Sequence, residues 1–276
     1  MPPYTDPSAS FPRPGKVVTV VMLLIGGLWL AFAVGMSWAG VPPEVFELTT
    51  GNTLRILHGE VWRLFTASLV QSPTTFWHLF SVLLSLYFFA VPLESEWGHK
   101  RLLRFLLGLV LIPSLLQALV DIALPPSLSR VMVPSHWYGG YAVTAGLTVA
   151  WALNNRASVI RLYGILPITP RMLIYMTLGW PALYLIFRST PSEGIPALYF
   201  GAGAGWLLGG DTPSPLRRYW LKYRIGRLDS EVAKEAAQRK KRVERSRLKV
   251  IEGGRAKPDP GVDGEKGRGP DGRWLN

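Results

Sequence analysis

The sequence predicts an all-α, polytopic membrane protein, a bundle of six membrane-crossing helices followed by a basic tail. Three observations predict it. Six apolar runs, each near the roughly 20 residues needed to cross a bilayer, lie within the stretch 17–210. Charged residues make up 17% of the 276-residue chain, below the roughly 25% usual for soluble domains. The charge is also partitioned. Residues 213–276 hold 18 Lys/Arg and 9 Asp/Glu, a net of +9 out of +12, which leaves the rest nearly neutral.

Residues 1–16, rich in Pro and Ser, read as a disordered N-terminus. The run that follows is too long for the apolar core of a signal peptide, so it reads as a first span over 17–39. The further spans are placed at 76–93, 102–124, 137–155, 172–188 and 195–210. The first loop, 40–75, is long and only partly polar. With Trp62 and Phe65 it is expected to fold on or partly into the headgroup region. A basic, partly helical tail over 211–252 is expected to contain a helix starting near Glu231, capped by Asp229 or Ser230. Residues 253–276 are Gly/Pro-rich and charged and read as disordered.

Loop charges give the orientation. Lys100, Arg101 and Arg104 follow the second span, Arg156, Arg161 and Arg171 the fourth, and the basic tail the sixth. Positive loops face the cytoplasm, so both termini are expected there. The membrane is a plasma or inner membrane if the source is bacterial.

The residue inventory excludes much chemistry. With no cysteine, disulfides, thiolate catalysis and cysteine-held metals are impossible. The four histidines are His58, His78, His99 and His136, and none lies further along the chain. No metal set, no cofactor and no nucleic-acid motif is evident.

Gly59-Glu60-Val61-Trp62-Arg63-Leu64-Phe65-Thr66 is followed by His78-Leu79-Phe80, then by Leu93-Glu94 ahead of Gly98 and a Lys/Arg pair. This pattern resembles the rhomboid family of intramembrane serine proteases and their inactive relatives over about residues 55–210. Trp62, Arg63, His78, Glu94 and Gly98 look like the family's motif positions, and Ile165-Leu166-Pro167-Ile168 resembles its loop before the fifth span. Independently of the family, Arg63 and Glu94 are ionisable groups near membrane depth, costly unless paired or wet. They are expected to bond backbone or polar groups and pin the first loop. The plainer reading is a pair of interfacial charges.

The resemblance implies a Ser nucleophile in a G-x-S-G turn opening the fourth span, a His base in the sixth, and an Asn four residues after the second-span His. Here those positions match Gly140, Leu198 and Val82. A hydroxyl without a base within hydrogen-bond reach stays inert. Thr144 has no evident base and is expected to bond its own helix backbone. Ser135 and His136 read as an interfacial loop.

Two stripes of small residues recur every four positions, Ala142, Gly146 and Ala150 in the fourth span and Gly201, Gly205 and Gly209 in the sixth. Such stripes let helices approach closely in lipid. The expected function is a rhomboid-like pseudoprotease that binds transmembrane segments of client proteins without cleaving them. The alternative is an active rhomboid endopeptidase. A transporter is disfavoured by the scarcity of ionisable residues in the spans. Besides the bilayer itself, anionic lipid is a partner for the tail, where 217–249 holds 13 Lys/Arg and 4 Asp/Glu beside Tyr219, Trp220 and Tyr223.

Overall fold

The structure, a computed structural model, describes residues 13–157, 160–162, 166–209 and 215–249. The expectations of disorder over 1–12 and 253–276, and the placement of Ile165, lie outside the described residues.

Helix α1, Lys16–Trp38, carries no charge after its first residue and is apolar all round, the mark of a helix solvated by lipid. Only Val18 and Ile25 are buried, while Leu23 is 70% exposed. The first loop folds into three short helices, α2 (Pro43–Glu47), α3 (Thr53–Leu57) and α4 (Arg63–Leu69). A long helical stretch follows, made of α5 (Phe76–Ser85), a π-helical segment (Leu86–Ala90) and α6 (Val91–Trp97). The widened turn is explained by Pro92, which lacks an N–H and whose ring crowds the carbonyl four residues back. Gly98 ends α6 at φ +76°, a left-handed conformation that other residues reach only with strain, and α7 (His99–Ala123) starts directly after it.

Beyond α7 come the short α8 (Pro126–Met132), then α9 (Tyr141–Asn154), α10 (Pro170–Ile186) and α11 (Ile195–Gly209). A two-stranded antiparallel ribbon, β1 (Ile160–Leu162) and β2 (Leu166–Ile168), joins α9 to α10 where only a proline-interrupted loop was expected. Pro167 is tolerated there because, among the described residues, the ribbon has no third strand and one edge of each strand is unpaired.

Among the described residues three stretches are long and apolar enough to cross a membrane, Lys16–Trp38, Phe76–Trp97 and His99–Ala123. Helix α11 is apolar but shorter. At 1.5 Å per residue α9 and α10 measure about 21 and 26 Å, short of the full hydrocarbon thickness. The protein is thus a helical, polytopic membrane protein.

Helix α9 is the hub, with ten of its fourteen residues buried, whereas α10 buries only Pro170 and Pro181 of seventeen. Leu86, Leu93, Leu102, Leu109 and Leu147 form the centre of the core. The described residues divide into two units, the helical body up to Tyr219 and a tail from Trp220. In the latter part α12 (Pro215–Lys249) continues as one helix, exposed over residues 222–244, with no new start at Asp229. The reason is local. Ser230 donates its hydroxyl to the Arg227 carbonyl one turn back and so does not act as a cap.

Candidate functional site

The first loop is organised by Arg63, which is 3% exposed. Its Nη1 donates to the carbonyls of Glu47 (2.5 Å) and Thr50 (2.7 Å), and its Nε to Glu60 Oε2 (2.6 Å). One planar guanidinium thereby ties α4 to the end of α2 and the turn beyond it. The Arg63 hydrogen bond holds the Glu60 carboxyl below its ordinary range, with the Arg63 and Arg55 charges adding to the effect. Trp62 stands beside it half exposed, its Nε1 donating weakly to the Leu48 carbonyl at 3.4 Å.

Glu94 does different work from Arg63. Its two carboxylate oxygens accept the N–H groups of Val17 (2.9 Å) and Val18 (3.1 Å), the open amides at the start of α1. Helix α1 has no cap of its own, and a carboxylate at a helix N-terminus is favoured by both the free amides and the dipole. His99, the first residue of α7, meets the same carboxylate at 2.5 Å. Both α1 and α7 therefore begin at Glu94, pack together, and run in the same direction. Glu94 pins the first helix and not, as expected, the first loop.

The polar centre lies at the start of α5, α9 and α11. His78 Nε2 is 3.0 Å from Glu193 Oε1, and both side chains are over nine-tenths buried. Glu193 also accepts the Tyr141 N–H (3.2 Å) and the Ser192 hydroxyl (3.0 Å). The Ser72 N–H donates to His78 Nδ1 at 3.1 Å. Since Nδ1 accepts, the proton of this imidazole sits on Nε2 and points at Glu193. Two fully buried amides complete the cluster. Gln117 donates to the Glu193 carbonyl (2.7 Å) and accepts from the Ala197 N–H (3.0 Å). Gln71 accepts the Gly140 N–H (3.2 Å). Gly194, at φ +83°, has no room for a Cβ beside Gln117 Oε1.

Glu193, Gln71, Gln117 and Tyr141 were not singled out from sequence. Two glutamines among apolar neighbours, and an acid immediately before a glycine at a helix mouth, were the available signals.

The three positions where the rhomboid pattern carries its catalytic groups fall near this cluster. Gly140 abuts Val82, such that a Cβ on Gly140 would lie 2.8 Å from Val82 Cγ1. Leu198, on α11, instead lines a cleft of about 460 Å³ together with Tyr141, Thr144, Leu173, Met176 and Trp180. Thr144 donates to the Tyr141 carbonyl at 3.0 Å, and His136 approaches the Thr50 hydroxyl at 3.2 Å in the loop before α9. His78 cannot serve a hydroxyl nucleophile in this arrangement, because its one lone pair faces the Ser72 amide. Among the described residues no three His, Asp or Glu side chains gather into a metal site.

The small stripes meet in parallel register. A Cβ on Gly201 would run into the Ala142 carbonyl, one on Gly205 into Gly146, and one on Gly209 into the Ala150 side chain. Asn154 closes the far end by donating to the Gly209 carbonyl (2.5 Å).

The sequence matches the family described as "Eukaryotic integral membrane protein (DUF1751)" over residues 16–208. The chain belongs to that family. The match begins with the first residue of α1 and ends within α11, so the DUF1751 region is the helical body and α12 lies beyond it. The protein is accordingly a eukaryotic multi-pass membrane protein, and the bacterial setting considered from sequence no longer applies. A search of curated proteins finds no match to this DUF1751 chain.

Proposed function

We propose that this DUF1751 protein is a six-span, rhomboid-like pseudoprotease that holds transmembrane segments of client proteins without cutting them. The observation that carries the reading is the state of His78. Its imidazole is locked between the Ser72 amide and the Glu193 carboxylate, and glycine and valine occupy the places where the resemblance calls for serine and asparagine. Without a hydroxyl facing a free imidazole lone pair there is no activated nucleophile.

The cleft between α9, α10 and the π-helical segment supports a binding role. It is walled mostly by hydrocarbon and flanked by the loosely held α10, whose Tyr175, Trp180 and Ile186 are exposed. This is the side where the family resemblance puts client segments. Trp62, Arg63, His78, Glu94 and Gly98 then act as scaffold residues, and α9 and α11 as its tightly packed spine. The six spans comprise the three long stretches and α9, α10 and α11, with both termini cytoplasmic and the basic tail against anionic lipid.

A fluorophosphonate probe on purified protein tests the chemistry, with no labelling expected. Labelling that disappears in Thr144→Ala or Ser135→Ala would overturn the reading. A photo-crosslinker at Met176 is expected to trap intact client segments far better than one at Leu30 on the lipid face of α1. Equal trapping at both sites would remove the binding role.

A further inference from the structure

A second cavity adjoins α9 and shares Thr144 as a wall with the client cleft. It has a volume of about 270 Å³ and is bounded by Val20 and Leu24 of α1, Leu103 and Leu107 of α7, Phe65 of α4 and Gly140. Ser68 and Thr144 are its only hydroxyl-bearing walls, and the Thr144 hydroxyl is taken up by its own helix. Such a space excludes water but accepts hydrocarbon. An apolar cavity of about 150 Å³ takes benzene, so this one has room for roughly ten carbons of a chain. A transmembrane helix does not fit, since one turn about 10 Å across displaces on the order of 400 Å³.

The mouth faces lipid. Val20, Leu24, Leu103 and Leu107 all retain substantial exposure at the α1–α7 seam. Because the two helices run in parallel from Glu94, their first turns lie at one level. Lys16 sits one turn above Val20 on the same face of α1. Lys100 and Arg104 occupy the matching first turns of α7, on the stripe that continues to Leu103 and Leu107. All three cations are exposed. Glu94, the acid from which both helices start, is buried and engaged by the α1 amides and His99. Glu96 is exposed on the end of α6.

We propose that this slot binds one acyl chain of an anionic phospholipid, whose phosphate lies against Lys16, Lys100 and Arg104. Basic pockets between membrane helices recognise acidic headgroups in this way. A sterol fills the hydrocarbon part but brings no anion to meet three cations. In the topology proposed above this is the cytoplasmic leaflet, where anionic lipids gather. The site itself does not depend on that topology or on the pseudoprotease reading.

The full chain reconstituted in vesicles of symmetric composition provides the test. The probes are phosphatidylserine and phosphatidylcholine bearing the same acyl-chain diazirine, with adducts mapped by mass spectrometry. Adducts are expected at Val20, Leu24, Leu103 and Leu107, with phosphatidylserine preferred. Each of Lys16→Gln, Lys100→Gln and Arg104→Gln is expected to lower that preference by about fivefold. Leu24→Trp with Leu107→Trp, at positions already 45% and 43% exposed, is expected to suppress the slot adducts while leaving the melting temperature unchanged. Adducts spread evenly onto Ile186 and Phe187 of α10 would overturn the site, as would slot labelling that survives the filled variant. Equal labelling by the two lipids would overturn the headgroup assignment.

Discussion

His78 Nε2 and Glu193 Oε1, 115 residues apart in the chain, lie 3.0 Å from each other in a buried pocket at the start of three helices. The carboxylate also holds the first amide of α9, through Tyr141, and the hydroxyl of Ser192. Removing it leaves three donors without an acceptor.

Glu193→Gln keeps an oxygen in place for the imidazole and the Tyr141 amide and is expected to cost under about 1 kcal/mol. Glu193→Ala orphans all three donors and is expected to cost about 2–4 kcal/mol. Thermal unfolding in detergent measures both. An alanine variant as stable as the parent would show that the pocket is wet and the pairing incidental.

Glu94→Ala opens the two amides at the start of α1. The expected loss is about 3 kcal/mol, since hydrogen bonds to a charged group are worth about 1.5–3 kcal/mol each. The chain has no cysteine, so a single one introduced at Lys16 reports the local consequence cleanly. It is expected to react faster with a water-soluble maleimide in Glu94→Ala than in its parent. Identical rates would mean the cap contributes nothing to seating the helix.

Gly201 and Gly205 face backbone atoms of α9, whereas Gly203 on the same helix faces nothing within 4 Å. Gly201→Leu or Gly205→Leu is expected to destabilise by about 3 kcal/mol through overpacking. Gly203→Ala is expected to stay within about 1 kcal/mol of the parent. If all three behave alike, the close approach of α9 and α11 is not what sets stability.

Glu60 has a folded-state pKa below its ordinary value of 4.5, chiefly through its hydrogen bond to Arg63. Its contribution is therefore fully present above about pH 4.5. It is lost as the pH falls through the depressed folded value. Hydrogen exchange at residues 47–51, next to the carbonyls that Arg63 holds, is expected to rise over that acid range in the parent. In Glu60→Gln it is expected to be raised at neutral pH and flat. The same profile in both proteins would exclude Glu60 as the titrating group.

What could be read from sequence was what repeats or runs. Helix α1, the 76–97 stretch and α7 announce themselves by length and hydrocarbon content. The four-residue steps of Ala142–Gly146–Ala150 and Gly201–Gly205–Gly209 give away a face whatever its partner. The ionisable residues were harder. Arg63 was legible as a residue that needed partners, but Glu94 was assigned to the wrong element. Nothing local in the Leu93–Gly98 segment indicates that its carboxylate belongs to amides 77 positions earlier. Glu193 does not stand out in the sequence, because its partners His78 and Tyr141 are distant in the chain. In the tail, Asp229 and Ser230 matched a helix start by residue type. Residue type alone does not say whether the serine bonds forward as a cap or back to the carbonyl of Arg227.

The Glu94–Val17 bond also sets an order of events at the ribosome. The amides that open α1 emerge 77 residues before the carboxylate that closes them. At about 5–20 residues per second that interval lasts about 4–15 s. During it the first helix has hydrocarbon to enter but no anchor at its leading end. Its final seat waits for the second long stretch to arrive. A truncation within residues 76–93 would therefore leave a first helix that inserts and does not lock.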